Sequence, residues 1–190
     1  MIRDSQMTAS PLPAAVQMAA YALKRWGVLS FWSNIILTLF SAAALLLGLL
    51  GQSSGAARSV GTGVGSFWAI SGLVSLLVSI FFSWRYWNIG KALQYAKASD
   101  RPKRADTQKT IRLGLVVSII GMLLSLLGTQ SVVGSVLVKA VRQTGANVIS
   151  QQSCIVIPAD LFSIAANTTA LTAHFIGITV ALWLMTRLAK

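Results

Sequence analysis

The stretch VLSFWSNIILTLFSAAALLLGLLG, residues 28–51, contains no charged side chain. As an α-helix it is about 36 Å long, which is enough to cross the hydrocarbon layer of a bilayer, about 30 Å thick. Three further stretches of roughly this length also lack Asp, Glu, Lys and Arg: residues 67–84, 113–138 and 161–186. A helix satisfies its own backbone polar groups in lipid, so each stretch is predicted to span the membrane.

The composition points the same way. Hydrophobic residues make up 55% of the chain and charged residues only 11%, whereas soluble domains carry roughly 25% charged residues. The sequence therefore predicts an all-α integral membrane protein, with a four-helix domain over residues 28–190. Residues 1–27 are predicted to be an N-terminal arm, in which Ala14 to Trp26 forms either an interfacial helix or an extension of the first span.

The distribution of Lys and Arg predicts the orientation. Thirteen of the sixteen basic residues lie in the N-terminal arm, in or beside the central loop, or at the C-terminus. Only Arg58, Lys139 and Arg142 lie in the other two loops. Because Lys and Arg are retained in the cytoplasm during insertion, both termini and the central loop are expected to be cytoplasmic.

The central loop is the main polar surface of the sequence. Its candidate contact residues are Lys97, Arg101, Lys103, Arg104, Lys109 and Arg112. These charges predict binding of anionic lipid, and an acidic protein partner is the alternative. The net charge of +12 does not predict binding of nucleic acid, because it lies against the bilayer with no nucleic-acid-binding motif around it.

The third span carries a face of small residues. Gly and Ser recur at spacings of three and four residues, at Gly114, Ser118, Gly121, Ser125 and Gly128, with Ser131 and Ser135 beyond them. Small residues let neighbouring helices approach closely in lipid, so this face is predicted to be a packing surface, with a pore lining as the competing interpretation.

The fourth span carries polar residues on one face. Asp160, Asn167 and His174 recur every seven residues, and Asn34 and Gln130 are their expected partners on the first and third spans. Polar groups within a membrane usually face the bundle interior and mark a transport path. The alternative is that they join helices by hydrogen bonds.

Enzyme chemistry is not predicted, because the sequence shows no catalytic pair, phosphate loop or paired carboxylates. It accordingly contains no candidate catalytic residue and implies no cofactor. Metal ligands are scarce, with one His, one Cys and four acidic residues in the whole chain. Whether any metal binds is left open by the sequence.

Three segments, residues 22–42, 100–141 and 158–184, resemble a family of small four-helix proteins from cyanobacteria and plastids. That family includes the chloroplast inner-envelope import translocon subunit, also described as the chloroplast iron permease. The most specific shared pieces are Arg104 to Asp106, LGTQSVVG at residues 127–134, and Asn167 with His174 and Phe175.

The resemblance implies a cyanobacterial plasma or thylakoid membrane and a permease or translocon subunit, for iron or another small cation or for protein import. An accessory or assembly subunit of a larger complex, such as a photosynthetic complex, is the alternative, and a lipid-binding scaffold is a third possibility. A homo-oligomer or a place in a larger membrane complex is expected.

Overall fold

The computed structural model describes residues 13–53, 60–95, 101–145 and 158–189. These residues form four helices: α1 (Ala14–Ser53), α2 (Val60–Tyr95), α3 (Arg104–Gly145) and α4 (Pro158–Ala189). Each helix contains one predicted span and is long and apolar enough to cross a membrane. The predicted all-α, four-helix membrane architecture is confirmed, whereas the orientation of the termini stays a prediction.

The helices are longer than their predicted spans. They contain 40, 36, 42 and 32 residues, so the shortest is about 48 Å long, against a hydrocarbon layer of about 30 Å. Each proline among the described residues stands where helix geometry tolerates it: Pro13 and Pro102 precede α1 and α3, and Pro158 is the first residue of α4. Residues 14–26 form the first turns of α1 without a break, and their position relative to the lipid stays a prediction.

The four helices run alternately up and down. Each packs against its neighbours in chain order, α4 returns to pack against α1, and α2 also contacts α4 across the bundle. We call the end that holds the starts of α1 and α3 and the ends of α2 and α4 the basic end. There the Lys24 amine donates a hydrogen bond to the Gln94 side chain, and the Arg104 guanidinium donates to the Leu188 carbonyl.

The basic end contains the main apolar core. Its buried members include Leu23, Tyr86, Ile111 and Leu184, with Trp26 and Trp183 packed beside them. Nearer the middle of the bundle the buried apolar clusters are small and the interior side chains are mostly Ala, Gly and Ser. Large apolar side chains such as Leu39, Phe40 and Leu126 are exposed on the outside, as expected of a surface that faces lipid.

Candidate functional site

The polar face predicted on α4 lies inside the bundle. Asp160, Asn167 and His174 are each almost fully buried. They follow one another at two-turn intervals, so the line from Asp160 to His174 is about 21 Å long. The face therefore extends from the end opposite the basic end to the middle of the bundle.

His174 lies where α2, α3 and α4 meet. Its Nε2 is 3.4 Å from the Gly72 carbonyl oxygen on α2, and its ring fills the space beside Gly121 on α3. Its Nδ1 is buried and has no hydrogen-bond partner among the described residues. The ring thus keeps one nitrogen for a further ligand or proton.

Asn167 occupies the equivalent place two turns away. Its Nδ2 donates to the Ser163 carbonyl at 3.0 Å, and its side chain fills the space beside Gly128. Its Oδ1, like the nearby Ser125 hydroxyl, is buried without a hydrogen-bond partner in the described part of the chain. Two acceptor oxygens therefore remain available in this part of the interior.

The small-residue face of α3 explains how these side chains fit. Gly114, Ser118, Gly121, Ser125 and Gly128 are all buried. A Cβ added at Gly121 would overlap the His174 ring, and one at Gly128 would overlap the Asn167 amide. The absence of side chains on α3 creates the room that the polar residues of α4 occupy.

Asp160 is neutralised by a partner that the sequence analysis assigned to a loop. The Lys139 ammonium lies 3.0 and 2.8 Å from the two Asp160 carboxylate oxygens, and the two side chains are 9% and 0% exposed. Lys139 follows Gly128 by eleven residues, which is about three helical turns. Extending the small-residue periodicity of α3 would have placed it on the inner face.

Asn34 is buried but lies in a second polar cluster, between α1 and α2. Its Nδ2 donates to the Ser30 and Ser83 hydroxyls at 3.4 and 3.3 Å, and those hydroxyls are 2.9 Å apart. Its Oδ1 and the nearby Ser79 hydroxyl are buried without a hydrogen-bond partner among the described residues. Asn34 thus extends the polar interior without the predicted partnership with α4.

Gln130 does not join the interior. It is exposed on α3, among exposed Leu126, Leu127 and Val133. Gly128 lies on the inner face of α3, and a residue two positions later on a helix points away from that face. Gln130 is therefore directed outward. The structure therefore does not bring Gln130 to Asn167 or His174.

The basic residues of the central loop lie around the basic end. Arg104, Lys109 and Arg112 are exposed on the first turns of α3, Lys103 is exposed directly before that helix, and Arg101 is partly buried near its start. Lys97 lies outside the described residues. The predicted basic surface therefore lies mostly on the first turns of α3.

Among the described residues, no three His, Cys, Asp or Glu side chains lie close enough together to hold a metal ion. The interior instead presents amide and hydroxyl oxygens, one imidazole nitrogen and one ion pair. Such groups bind water, protons and weakly held cations better than they retain a transition metal.

Comparison with known proteins supports the resemblance seen in the sequence. Protein TIC 21, chloroplastic, of Arabidopsis thaliana is 31% identical over 169 residues, which are 85% of this chain and 55% of that protein. The chain therefore spans little more than half the length of this curated relative. No solved structure matches it. Residues 13–189 match the family described as "Protein of unknown function (DUF3611)", and the chain belongs to that family.

Proposed function

We propose that this chain is a permease, or the permease or translocon subunit of a membrane assembly, and that its polar interior passes a small hydrophilic cargo. The observation that supports this most is the set of buried polar atoms without hydrogen-bond partners among the described residues. They are Asn34 Oδ1, Thr38 Oγ1, Ser79 Oγ, Ser125 Oγ, Asn167 Oδ1 and His174 Nδ1.

Unpaired buried polar atoms are costly, and within a membrane they mark functional paths more often than packing contacts. Helix association does not require such atoms to stay unpaired, because Ser hydroxyls can be satisfied by backbone carbonyls of their own helix. Ser163 and Ser83 are satisfied in this way. Two of the unpaired atoms are amide oxygens, which only accept, and three are hydroxyls, which both donate and accept, so the set suits water and cations.

A small cation, with ferrous iron as the first candidate, is the proposed cargo. Imidazole nitrogen and amide oxygen are acceptable ligands for iron, and too few of them converge for tight retention, as passage requires. The apolar core around Tyr86, Ile111 and Leu184 closes the path toward the basic end. We assign the described conformation to a closed state in a cyanobacterial plasma or thylakoid membrane.

The test is ion flux into vesicles that contain the purified protein and an iron-quenched dye. We expect His174→Ala to reduce ferrous iron entry about tenfold or more, since it removes the central nitrogen ligand. Thr172→Ala is the matched control, because Thr172 is exposed on the same helix and its hydroxyl donates a hydrogen bond to the Thr168 carbonyl one turn earlier.

Both variants must elute and melt like the unchanged protein. Entry no faster than into empty vesicles, for iron, manganese, sodium and protons alike, would remove the permease proposal. Equal flux through the unchanged protein and His174→Ala would remove the assigned path.

The second candidate is an accessory or assembly subunit of a larger complex, such as a photosynthetic complex. Gln130 favours it, because an amide exposed within a spanning segment is costly in lipid, and a hydrogen bond to a neighbouring chain would offset that cost. After mild detergent extraction, Gln130→Leu is expected to lose a co-purifying protein that Leu127→Ile retains. Extraction of a lone homo-oligomer would count against a larger complex.

A further inference from the structure

A pocket of about 430 Å³ opens at the basic end. The start of α1, the end of α2, the residues leading into α3 and the end of α4 all contribute to it. Its apolar lining comes from Val16, Met18, Ala19, Leu93 and Leu188. A volume of this size is typical of pockets that bind small molecules, which span about 300–1,000 Å³.

Three arginines line the same pocket: Arg101, Arg104 and Arg187. The described residues that line it include no acidic side chain. Each of the three has a partner: Arg104 donates to the Leu188 carbonyl, Arg187 lies 5.0 Å from the centre of the Trp183 ring, and Arg101 has a contact of its own. Guanidinium groups are the preferred partners of phosphate, so the charge of the pocket fits an anion and its walls fit an apolar chain.

Two tryptophans beside the pocket indicate that a ligand with both an anionic and an apolar part would come from the membrane. Trp26 and Trp183 contact each other with ring centres 4.8 Å apart, and Trp side chains concentrate at the level of the lipid headgroups. Arg187 follows Trp183 by one turn, and Ala19 precedes Trp26 by about two turns, or 10 Å. The pocket is therefore expected to lie just outside the aromatic layer, within reach of a lipid headgroup.

We propose that this pocket binds one acidic phospholipid, with the headgroup phosphate on Arg104 and Arg187 and the adjoining apolar part of the lipid against Val16, Ala19 and Leu93. This site is distinct from general attraction of the loop charges to the membrane, because Lys103, Lys109 and Arg112 do not line the pocket. It is also independent of the proposed transport path, which lies among His174, Asn167 and the residues around them.

The test measures lipid binding to the delipidated, detergent-purified protein by native mass spectrometry. The probe is dioctanoyl phosphatidylglycerol, compared with dioctanoyl phosphatidylcholine and with inorganic phosphate. We expect one tightly bound phosphatidylglycerol, about tenfold weaker binding of phosphatidylcholine, and no displacement by equimolar phosphate.

Three variants separate the contributions. Arg104→Gln with Arg187→Gln is expected to weaken binding about tenfold or more. Lys109→Gln with Arg112→Gln removes the same charge from exposed positions outside the pocket and is expected to change binding less than about twofold. Ala19→Phe fills the apolar part, keeps all three arginines, and is expected to reduce binding as the arginine pair does.

Several results would overturn the proposal. An equal loss in the Lys109 and Arg112 pair would reduce it to general charge attraction. Equal binding of phosphatidylcholine, or displacement by equimolar phosphate, would remove the joint role of charge and apolar walls. Unchanged binding in Ala19→Phe would show that the lipid lies elsewhere.

Discussion

Lys139 and Asp160 form a buried ion pair at the end opposite the basic end. Their charged atoms are 2.8 Å apart, and the carboxylate is fully buried. Burying two charges is costly, and their attraction offsets that cost only while both are present. The pair therefore makes α3 and α4 depend on each other at this end.

Removing one partner is expected to destabilise the bundle more than removing both. Lys139→Met or Asp160→Asn should lower the free energy of unfolding by about 3–5 kcal/mol, because the remaining buried charge loses its counter-ion. Lys139→Met combined with Asp160→Leu should recover most of that loss. Thermal unfolding in detergent, followed by circular dichroism, measures the stability of the two single variants and the double variant. Strictly additive losses of stability would contradict the assigned pairing.

At the residue scale, sequence periodicity identified which α4 residues share a face but not what each one meets. Asp160, Asn167 and His174 are buried together on one side of α4, as their spacing predicted. Asn34 and Gln130 were paired with them by chemistry alone, and the rotation of α1 and α3 places them elsewhere. That rotation is set by packing of all four helices, which no single helix pattern contains.

At the element scale, two glycines hold α1 and α2 together near the basic end. A Cβ on Gly27 would meet the backbone of Trp87, and one on Gly90 would meet the backbone of Lys24. Backbone atoms cannot move aside without separating the helices. This reciprocal contact fixes the crossing of α1 and α2, although the sequence analysis looked for a small-residue seam only in α3.

Gly90→Ala is therefore expected to lower the free energy of unfolding by about 1–3 kcal/mol. Gly134→Ala on α3 is the matched control, because a Cβ there meets nothing within 4 Å. The control should be neutral or stabilising by up to about 1 kcal/mol, since Ala favours helix more than Gly. Thermal unfolding measures the stability of both variants, and an equal change in stability would argue against the close crossing of α1 and α2.

The existence of the four helices followed from the sequence because each span is long, apolar and free of internal proline. The far end of α3 did not follow, because this helix continues past residue 138 into polar residues. Residues 139–145 are helical although Lys139 and Arg142 were assigned to a loop. The pocket at the basic end was not predictable from any one segment, because parts of all four helices line it.

At the scale of the whole molecule, the charge asymmetry predicts that the basic end faces the cytoplasm. A membrane-impermeant maleimide should label native Cys154, which lies outside the described residues, in intact cells. In a Cys154→Ser background, Ala105→Cys should react only after permeabilisation, because Ala105 is exposed at the basic end. The reverse labelling pattern would contradict the orientation.

For the whole bundle, we propose that the polar interior is a hydrated route and not only a set of contacts between helices. Ser125 tests this claim well, because it is buried, lies against Gly72 in the bundle interior, and has an unpaired hydroxyl within the described chain. Its neighbour Leu126 is exposed on the outer surface. One position thus reports on the interior and the next on the lipid side.

The most direct measurement is the reaction of Ser125→Cys and Leu126→Cys, each in a Cys154→Ser background, with a small cationic methanethiosulfonate. Only a thiolate in contact with water reacts, so Ser125→Cys is expected to react at least about tenfold faster than Leu126→Cys. Its modification should also block ferrous iron flux. Two equally unreactive thiols would show a dry interior and contradict the account.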